Sequence, residues 1–334
     1  VIYESKCYGS YGYLASRYFK LGSADLGGAI TAFGRYSLIS MKNIVNEKHK
    51  EITNEDVIVS NSATDANYFV LNKIVEKRFP NGCTAEEGTM FMDSLINKII
   101  QPLVDNNINE DFRLMNGYVN SMGLNREVIA SNGLITGISK YALRVTNDEG
   151  KELYDNPKMK IVGMPNISVT LPIKIKEALN KTLDIFFDKD NDTFIDYIKS
   201  YKKEFCSYKP SEICQLMGVT SISKYLEPNF KGTVYWVSKA SIIYNNLVLE
   251  HNMQEEHDLV TENDKVRLIY LKKNPFTDAS VIAFKSDLFL EQIGLDKYIN
   301  HDVLFDKLFL NTVQAYTETN HWAMNDNNLF MDLF

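Results

Sequence analysis

The stretch from 57 to 71 decides the fold: Val57-Ile58-Val59-Ser60-Asn61-Ser62-Ala63-Thr64-Asp65-Ala66-Asn67-Tyr68-Phe69-Val70-Leu71. Val57-Ile58-Val59 is β-branched, and Tyr68-Phe69-Val70-Leu71 is aromatic and branched. The polar run between them, from Asn61 to Asp65, is built of turn formers. The pattern predicts strand, turn, strand, with Asp65 where the turn enters the second strand. An acidic residue there has two readings. Most such Asp side chains cap their own turn. Enzymes that transfer phosphoryl groups with two metal ions also project carboxylates from hairpins and sheet edges.

Before this hairpin, Ile30, Phe33, Ser37, Leu38, Met41, Ile44 and Val45 fall on one face at helical spacing and predict a helix over 29–47. After it, a helix is expected over 90–104, ended by Asp105-Asn106-Asn107. Residues 127–130 and 140–145 read as short strands. Asn147-Asp148-Glu149-Gly150 is a tight turn leading back towards Lys160-Ile161-Val162. From Thr170 the pattern becomes helical. Thr170 and Pro172 mark a helix start, and Ile175, Leu179, Thr182, Leu183 and Phe186 supply its face. Further helices are expected over 194–205, 237–250 and 303–316, with strands at 266–271 and 281–284. Mixed sheet first and helices later predicts an α+β protein.

Composition narrows the function. The 334 residues are 45% hydrophobic, 24% charged and 12% aromatic, which excludes a disordered chain. At roughly 150 residues per domain the length suits two domains or one large one. No apolar run of about 18 residues predicts a transmembrane helix, and no basic-then-apolar start predicts a signal peptide. The chain opens on Val1, which points to a processed product or a piece of something longer. Cys7, Cys83, Cys206 and Cys214 are scattered, as free thiols in a reducing compartment are. The five histidines, at 49, 251, 257, 301 and 321, lack zinc-ligand spacing.

The formal net charge of -7 argues against nucleic acid as an average, but the charge is uneven. Residues 197–249 carry seven Lys and three Glu, a net +4, and residues 250–264 carry six acids and no Lys or Arg. Local basic surface inside an acidic protein, or merely a solvated helix face, would both produce this.

The order of the segments carries a further signal. Tyr11-Gly12 precedes the long helix; then come Ala63-Thr64-Asp65, Arg126-Glu127, 136–143, 158–163, Thr170-Leu171-Pro172, Tyr244-Asn245, Asn274-Pro275-Phe276 and the terminal Leu329-Phe330-Met331-Asp332-Leu333-Phe334. In this order they resemble the C-terminal half of a B-family DNA polymerase of the T-even phage type. The resemblance covers nearly the whole chain. It implies the end of the fingers over 1–48, the palm over 49–165, a mostly helical thumb over 166–322 and a clamp-binding tail over 323–334.

Residue by residue, the resemblance implies the following roles. Tyr11 and Gly12 match the end of the family's motif B and would lie under the nascent base pair. Asp65 matches the second Asp of motif C, a ligand of catalytic Mg²⁺, and Glu127 matches an acidic residue near the same metal site. Lys140 and Tyr141 match the end of an element that tracks the primer's minor groove, while Thr170 leads into the thumb. Lys158, Lys160, Lys174, Lys176 and Lys181, together with the lysines of 197–249, would form a positive rim for DNA. Leu329, Phe330, Leu333 and Phe334 would dock on a sliding clamp. The expected partners are primer-template DNA, a dNTP and the clamp, with no membrane, in the cytoplasm of a host cell.

The departures from the family pattern are specific. Ala63 stands where motif C has its first Asp, Glu4 where a nucleotide-binding Lys is expected, and the Asn-Ser pair of motif B is absent. Ile138 and Ser139 replace expected lysines. Neither motif A nor the exonuclease domain is found. One Asp and one Glu do not hold two Mg²⁺ ions, so a second segment carrying the exonuclease domain and motif A is implied. The expected function is the palm-and-thumb part of a DNA-directed DNA polymerase, a nucleotidyltransferase inactive by itself. Two alternatives stand beside it: a catalytically degenerate subunit that binds primer-template DNA and a clamp, and a generic α+β binding protein.

Overall fold

Helix α1 (Ala24–Thr53) is longer than its apolar face predicts because both ends are capped. The Ser23 hydroxyl accepts the Leu26 N–H at 3.3 Å, and Asn54 closes the last turn in the left-handed conformation, φ +64°. The computed structural model describes residues 2–5, 15–16, 18–20, 22–63, 66–117, 123–227 and 230–319. The chain divides into two units, 1–163 and 164–334.

In the first unit a seven-stranded antiparallel sheet runs in the order β2-β3-β1-β4-β5-β6, with β7 also paired to β5. The strands are β1 (Ile2–Ser5), β2 (Ile58–Ser62), β3 (Ala66–Val70), β4 (Leu124–Gly137), β5 (Lys140–Asp148), β6 (Lys151–Glu152) and β7 (Lys158–Val162). Against one face lie α1, α2 (Asn72–Arg78), α3 (Ala85–Leu95) and α4 (Gln101–Leu114). Leu38, Met41, Val45, Met92, Val104 and Ile108 pack there with Phe69, Leu124 and Ile129. Ala66, Tyr68, Val128, Tyr141, Leu143 and Val145 form a separate cluster. Two apolar sets on one sheet follow from the period of two along each strand: Tyr68 and Phe69 are neighbours in sequence and belong to different clusters.

Several expectations are corrected. The hairpin turn is shorter than predicted, since Asn61 and Ser62 belong to β2. The Ser62 side chain does not force a turn because the sheet employs it. Ser62 Oγ donates to Asn67 Oδ1 at 2.7 Å, and Asn67 Nδ2 donates to the Leu38 carbonyl of α1 at 2.8 Å. The helix expected over 90–104 begins at Ala85, behind a Thr84/Glu87 capping box, and continues to Leu114. Asp105-Asn106-Asn107 does not end it. Gln101 bonds Asp105 at 2.8 Å and Asn107 bonds Asp111 at 2.9 Å, both one turn apart, so these groups are satisfied within the helix. A wider π-turn, Ile96–Ile100, separates α3 from α4 just before Pro102, which has no N–H to donate.

The second unit carries α5 (Ile173–Asp188), α6 (Asn191–Phe205), β8 (Gln215–Gly218), α7 (Ile222–Tyr225) and α8 (Trp236–Glu250). These are followed by β9 (Lys265–Tyr270), β10 (Val281–Phe284), α9 (Asp287–Ile293), α10 (His301–Phe305) and α11 (Asn311–Thr319). Thr170 is not part of the first helix. Its hydroxyl and that of Ser168 are 2.9 Å apart in the turn before it, and Pro172 is the cap. Phe186 of α5 meets Phe194 of α6 and Tyr316 of α11 at ring distances of 6.0 and 6.3 Å, and Tyr316 donates to Asn166 Oδ1 at 2.9 Å. β8, which the sequence pattern did not predict, completes a three-stranded antiparallel sheet in the order β10-β9-β8. Mixed helix and antiparallel sheet is the expected α+β class. Among the described residues no helix is long and apolar enough to cross a membrane.

Gly163 ends β7 against the tip of the β4–β5 hairpin. Its φ is +65°, and a Cβ there would sit 2.1 Å from the Ser139 carbonyl oxygen. Gly150 also has positive φ, +92°, but faces open space. We expect Gly163→Ala to destabilise by about 2 kcal/mol or more, and Gly150→Ala by only about 1 kcal/mol. Urea denaturation of the two variants checks the difference.

Candidate functional site

The first unit brings together part of the predicted site through an irregularity in β4. Ile2 of β1 opposes Val128, but Tyr3 opposes Arg126, so Glu127 is the extra residue of a bulge. A bulge breaks the alternation of side chains. Arg126 points to the helical face, where its guanidinium meets Asp93 of α3 at 2.7 Å and Asn147 Oδ1 at 2.6 Å. Val128 joins the cluster with Tyr68 and Tyr141. Glu127 pairs with Lys160 of β7, and Lys160 is opposite Leu143, a member of that cluster. The bulge therefore aims the Glu127 carboxylate to the side of the sheet away from the helices.

On that side Tyr68, just after the predicted metal-binding hairpin, donates its hydroxyl to that of Tyr141 at 3.0 Å. Their rings are 5.1 Å apart. Tyr141 is buried, so it braces β3 against β5 rather than standing free at the surface. At the base of the hairpin the Ala63 N–H bonds the Ala66 carbonyl at 2.9 Å. The Ser62–Asn67–Leu38 chain of hydrogen bonds fixes its orientation on α1.

The lysines expected to rim DNA are largely engaged within the protein. Lys158 lies 3.7 Å from Asp148, and Lys160 pairs with Glu127. In the second unit Lys174 lies 2.8 Å from Glu212 and 4.1 Å from the centre of the Tyr208 ring. The Lys174 hydrogen bond holds the Glu212 carboxyl below its ordinary range. Lys181 sits over Tyr197 at 5.0 Å. Lys140 is exposed where the β4–β5 turn enters β5. Thr170 is half-buried, and its carbonyl accepts the Leu216 N–H at 3.4 Å.

Tyr11, Gly12, Asp65, Leu329, Phe330, Leu333 and Phe334 lie outside the described residues. Among the described residues no three His, Cys, Asp or Glu side chains gather to hold a metal ion. Glu127 with Lys160 is a charge-balanced pair, so the described residues do not by themselves fit a Mg²⁺ site. Sequence reasoning found Glu127 and Lys160 separately but missed their pairing and the Arg126–Asp93 pair. An Arg inside a strand of alternating polarity is the signal that would have pointed to a buried acidic partner.

The Arg126 side chain is 7% exposed and that of Asp93 28%. Arg126→Ala leaves Asp93 with only the hydrogen bond from Asn97 at 3.0 Å and should cost about 3 kcal/mol of stability. The Glu127–Lys160 pair, 20% and 27% exposed, is better hydrated. A double-mutant cycle with Glu127→Gln and Lys160→Met should return a coupling of about 1 kcal/mol. Additive losses would show that the two groups do not interact in solution.

No protein-family model matches the chain. The chain is similar to the DNA-directed DNA polymerase of Enterobacteria phage T4, with 26% identity over 333 residues that cover 93% of this chain and 36% of that protein. It thus spans little more than a third of the length of the curated relative it matches. The similarity supports a partial B-family phage polymerase, the resemblance that the order of the segments carries, and a DNA-polymerase-related function.

Proposed function

We propose that this chain is the palm-and-thumb portion of a template-directed DNA polymerase that adds dNTPs to a primer, completed by a segment carrying the exonuclease domain and motif A. The observation that carries this reading is the similarity to the phage T4 polymerase along 93% of the chain. The palm would take in residues 49–165 and the thumb 166–322. The division of the chain between residues 163 and 164 supports placing them on either side.

In this reading the first unit is a platform. Its sheet turns one face to the helices and carries Glu127 on the other, on the side of the hairpin strand that bears Tyr68. Asp65 and Glu127 are the carboxylates this chain contributes towards binding Mg²⁺. Lys160 balances Glu127 when no metal is bound, and the remaining metal ligands come from the completing segment. Tyr11 and Gly12 lie under the new base pair. Lys140 and Thr170 meet the primer-template, and the tail with Leu329, Phe330, Leu333 and Phe334 docks on a sliding clamp. The host cell cytoplasm is the setting such a polymerase requires.

Ala63 favours a second reading, in which the same part binds primer-template DNA and a clamp without catalysis. An alanine cannot replace a metal-ligating Asp. Two measurements separate the readings. The chain should bind primer-template with log affinity falling linearly with log salt. Joined by the completing segment, it should extend a primed template in Mg²⁺, and Asp65→Ala should abolish extension while leaving binding intact. Binding without extension, with extension restored by Ala63→Asp, selects the non-catalytic reading. No binding at low salt rejects both.

A further inference from the structure

The bend that leads into α5 turns apolar side chains outward. Val169 is 89% exposed, Ile173 72% and Ile167 54%. Leu216 of β8, 40% exposed, is held beside them, because its N–H meets the Thr170 carbonyl at 3.4 Å. Met164, Asn166 and Leu171 are buried, which leaves Ile167 and Val169 on the outside. The Ser168 and Thr170 hydroxyls, 2.9 Å apart, fix the bend between them. Single exposed aliphatic side chains are ordinary, but four gathered at one place mark a surface that something covers.

The end of α11 reaches the same bend. Tyr316 donates its hydroxyl to Asn166 Oδ1 at 2.9 Å, and Asn166 Nδ2 donates to Asn180 of α5 at 3.1 Å. α11 ends at Thr319, three residues after Tyr316, so about 4.5 Å further along the helix axis. Residues 320–334 therefore start close to Ile167, and the ten residues from Asn320 to Leu329 span up to about 35 Å when extended. That reach is ample. The segment contains Leu329, Phe330, Leu333 and Phe334, which recur at the spacing of one helical face. It also carries Asp326 and Asp332, and neither Lys nor Arg. Ile173 and Lys176, three residues apart on α5, share a face and place a positive charge at the edge of the apolar surface.

We infer that the segment 320–334 folds back on its own chain and covers Ile167, Val169, Ile173 and Leu216 with Leu329, Phe330, Leu333 and Phe334. Tethering selects this occupant. A segment joined to the body by a short linker is present at an effective concentration on the order of mM. Four aliphatic side chains offer roughly a few hundred Å², below the about 800 Å² per partner of a stable dimer. A second copy lacks that area, and a tethered segment does not need it. While the segment is so held, its apolar side chains are closed to other proteins, and any partner that takes them must displace it first. The inference goes beyond the proposed polymerase function. It rests on the second unit alone and needs no DNA, metal or clamp.

The test uses the full chain and a fluorescently labelled peptide of residues 320–334. Phe330→Ala together with Phe334→Ala should free the surface. By anisotropy, that doubly substituted chain should bind the peptide about tenfold more tightly than the unsubstituted chain, whose own segment competes. Adding Val169→Asp or Ile173→Asp to it should weaken peptide binding about tenfold, because a carboxylate would be buried under the apolar side chains. Both positions are exposed, so these two substitutions leave the fold intact. Within the otherwise unsubstituted chain, Val169→Asp should also speed chymotryptic cleavage at Phe330. Three results would overturn the inference. The first is peptide binding to the doubly substituted chain no tighter than to the unsubstituted one. The second is peptide binding indifferent to Val169→Asp and Ile173→Asp. The third is a dimer in sedimentation that Val169→Asp dissociates, which would give the surface to a second copy. Loss of clamp docking or of primer extension with this peptide binding intact would count against the polymerase reading only.

Discussion

A guanidinium under a sheet must find a carboxylate, and Arg126 finds Asp93. The first unit depends on that pairing. It draws Arg126 to the helical side of β4, and the bulge that permits this turns Glu127 to the other. Had β4 alternated regularly, Arg126 and Val128 would share a face, and either a charge would enter the cluster around Tyr68 or an apolar side chain would leave it. The Asn147 side chain is recruited at the same point. It accepts from Arg126 at 2.6 Å and from the Gly150 N–H at 2.9 Å. One buried charge thus also holds the β5–β6 turn.

The two faces of the same sheet are held in different ways. Its helical side is closed by the long apolar rows of α1, α3 and α4, whose side chains each contribute about 1.5–3 kcal/mol on full burial. Its other side is where polar groups are balanced one against another. Tyr68 with Tyr141 and Glu127 with Lys160 are both linked across strands that are distant in sequence.

How much of this was legible depended on the range of the interaction. The hairpin at 57–71 and the apolar face of α1 were readable because β-branched runs and helical periodicity are local signals. The class was readable for the same reason. Helix ends were misjudged where polar residues served the helix interior, as Asn107 does with Asp111, or where the cap lay beyond the apolar face, as Ser23 does. The role of Thr170 was misjudged because its hydroxyl is engaged with Ser168 rather than with the helix that follows. The Glu127–Lys160 pair was not legible at all. It joins residues that meet only because β4 and β7 both flank β5, and the bulge that aims Glu127 has no signature in a single sequence.

That limit bears on how charge is read from sequence. The lysines of 158–181 and 197–249 looked like one rim, yet Lys158, Lys160 and Lys174 each have a carboxylate partner and Lys181 lies on a ring. Lys160, 27% exposed and paired with Glu127, would have to exchange that partner to reach a phosphate. Lys158, 66% exposed, and Lys181, on its ring, keep their charge open to solvent. Lys224, Lys231 and Lys239 lie exposed among aromatic rings, where the only acid of residues 221–239 is Glu227. Formal charge counted along a chain therefore does not tell a paired lysine such as Lys160 from an exposed one such as Lys158.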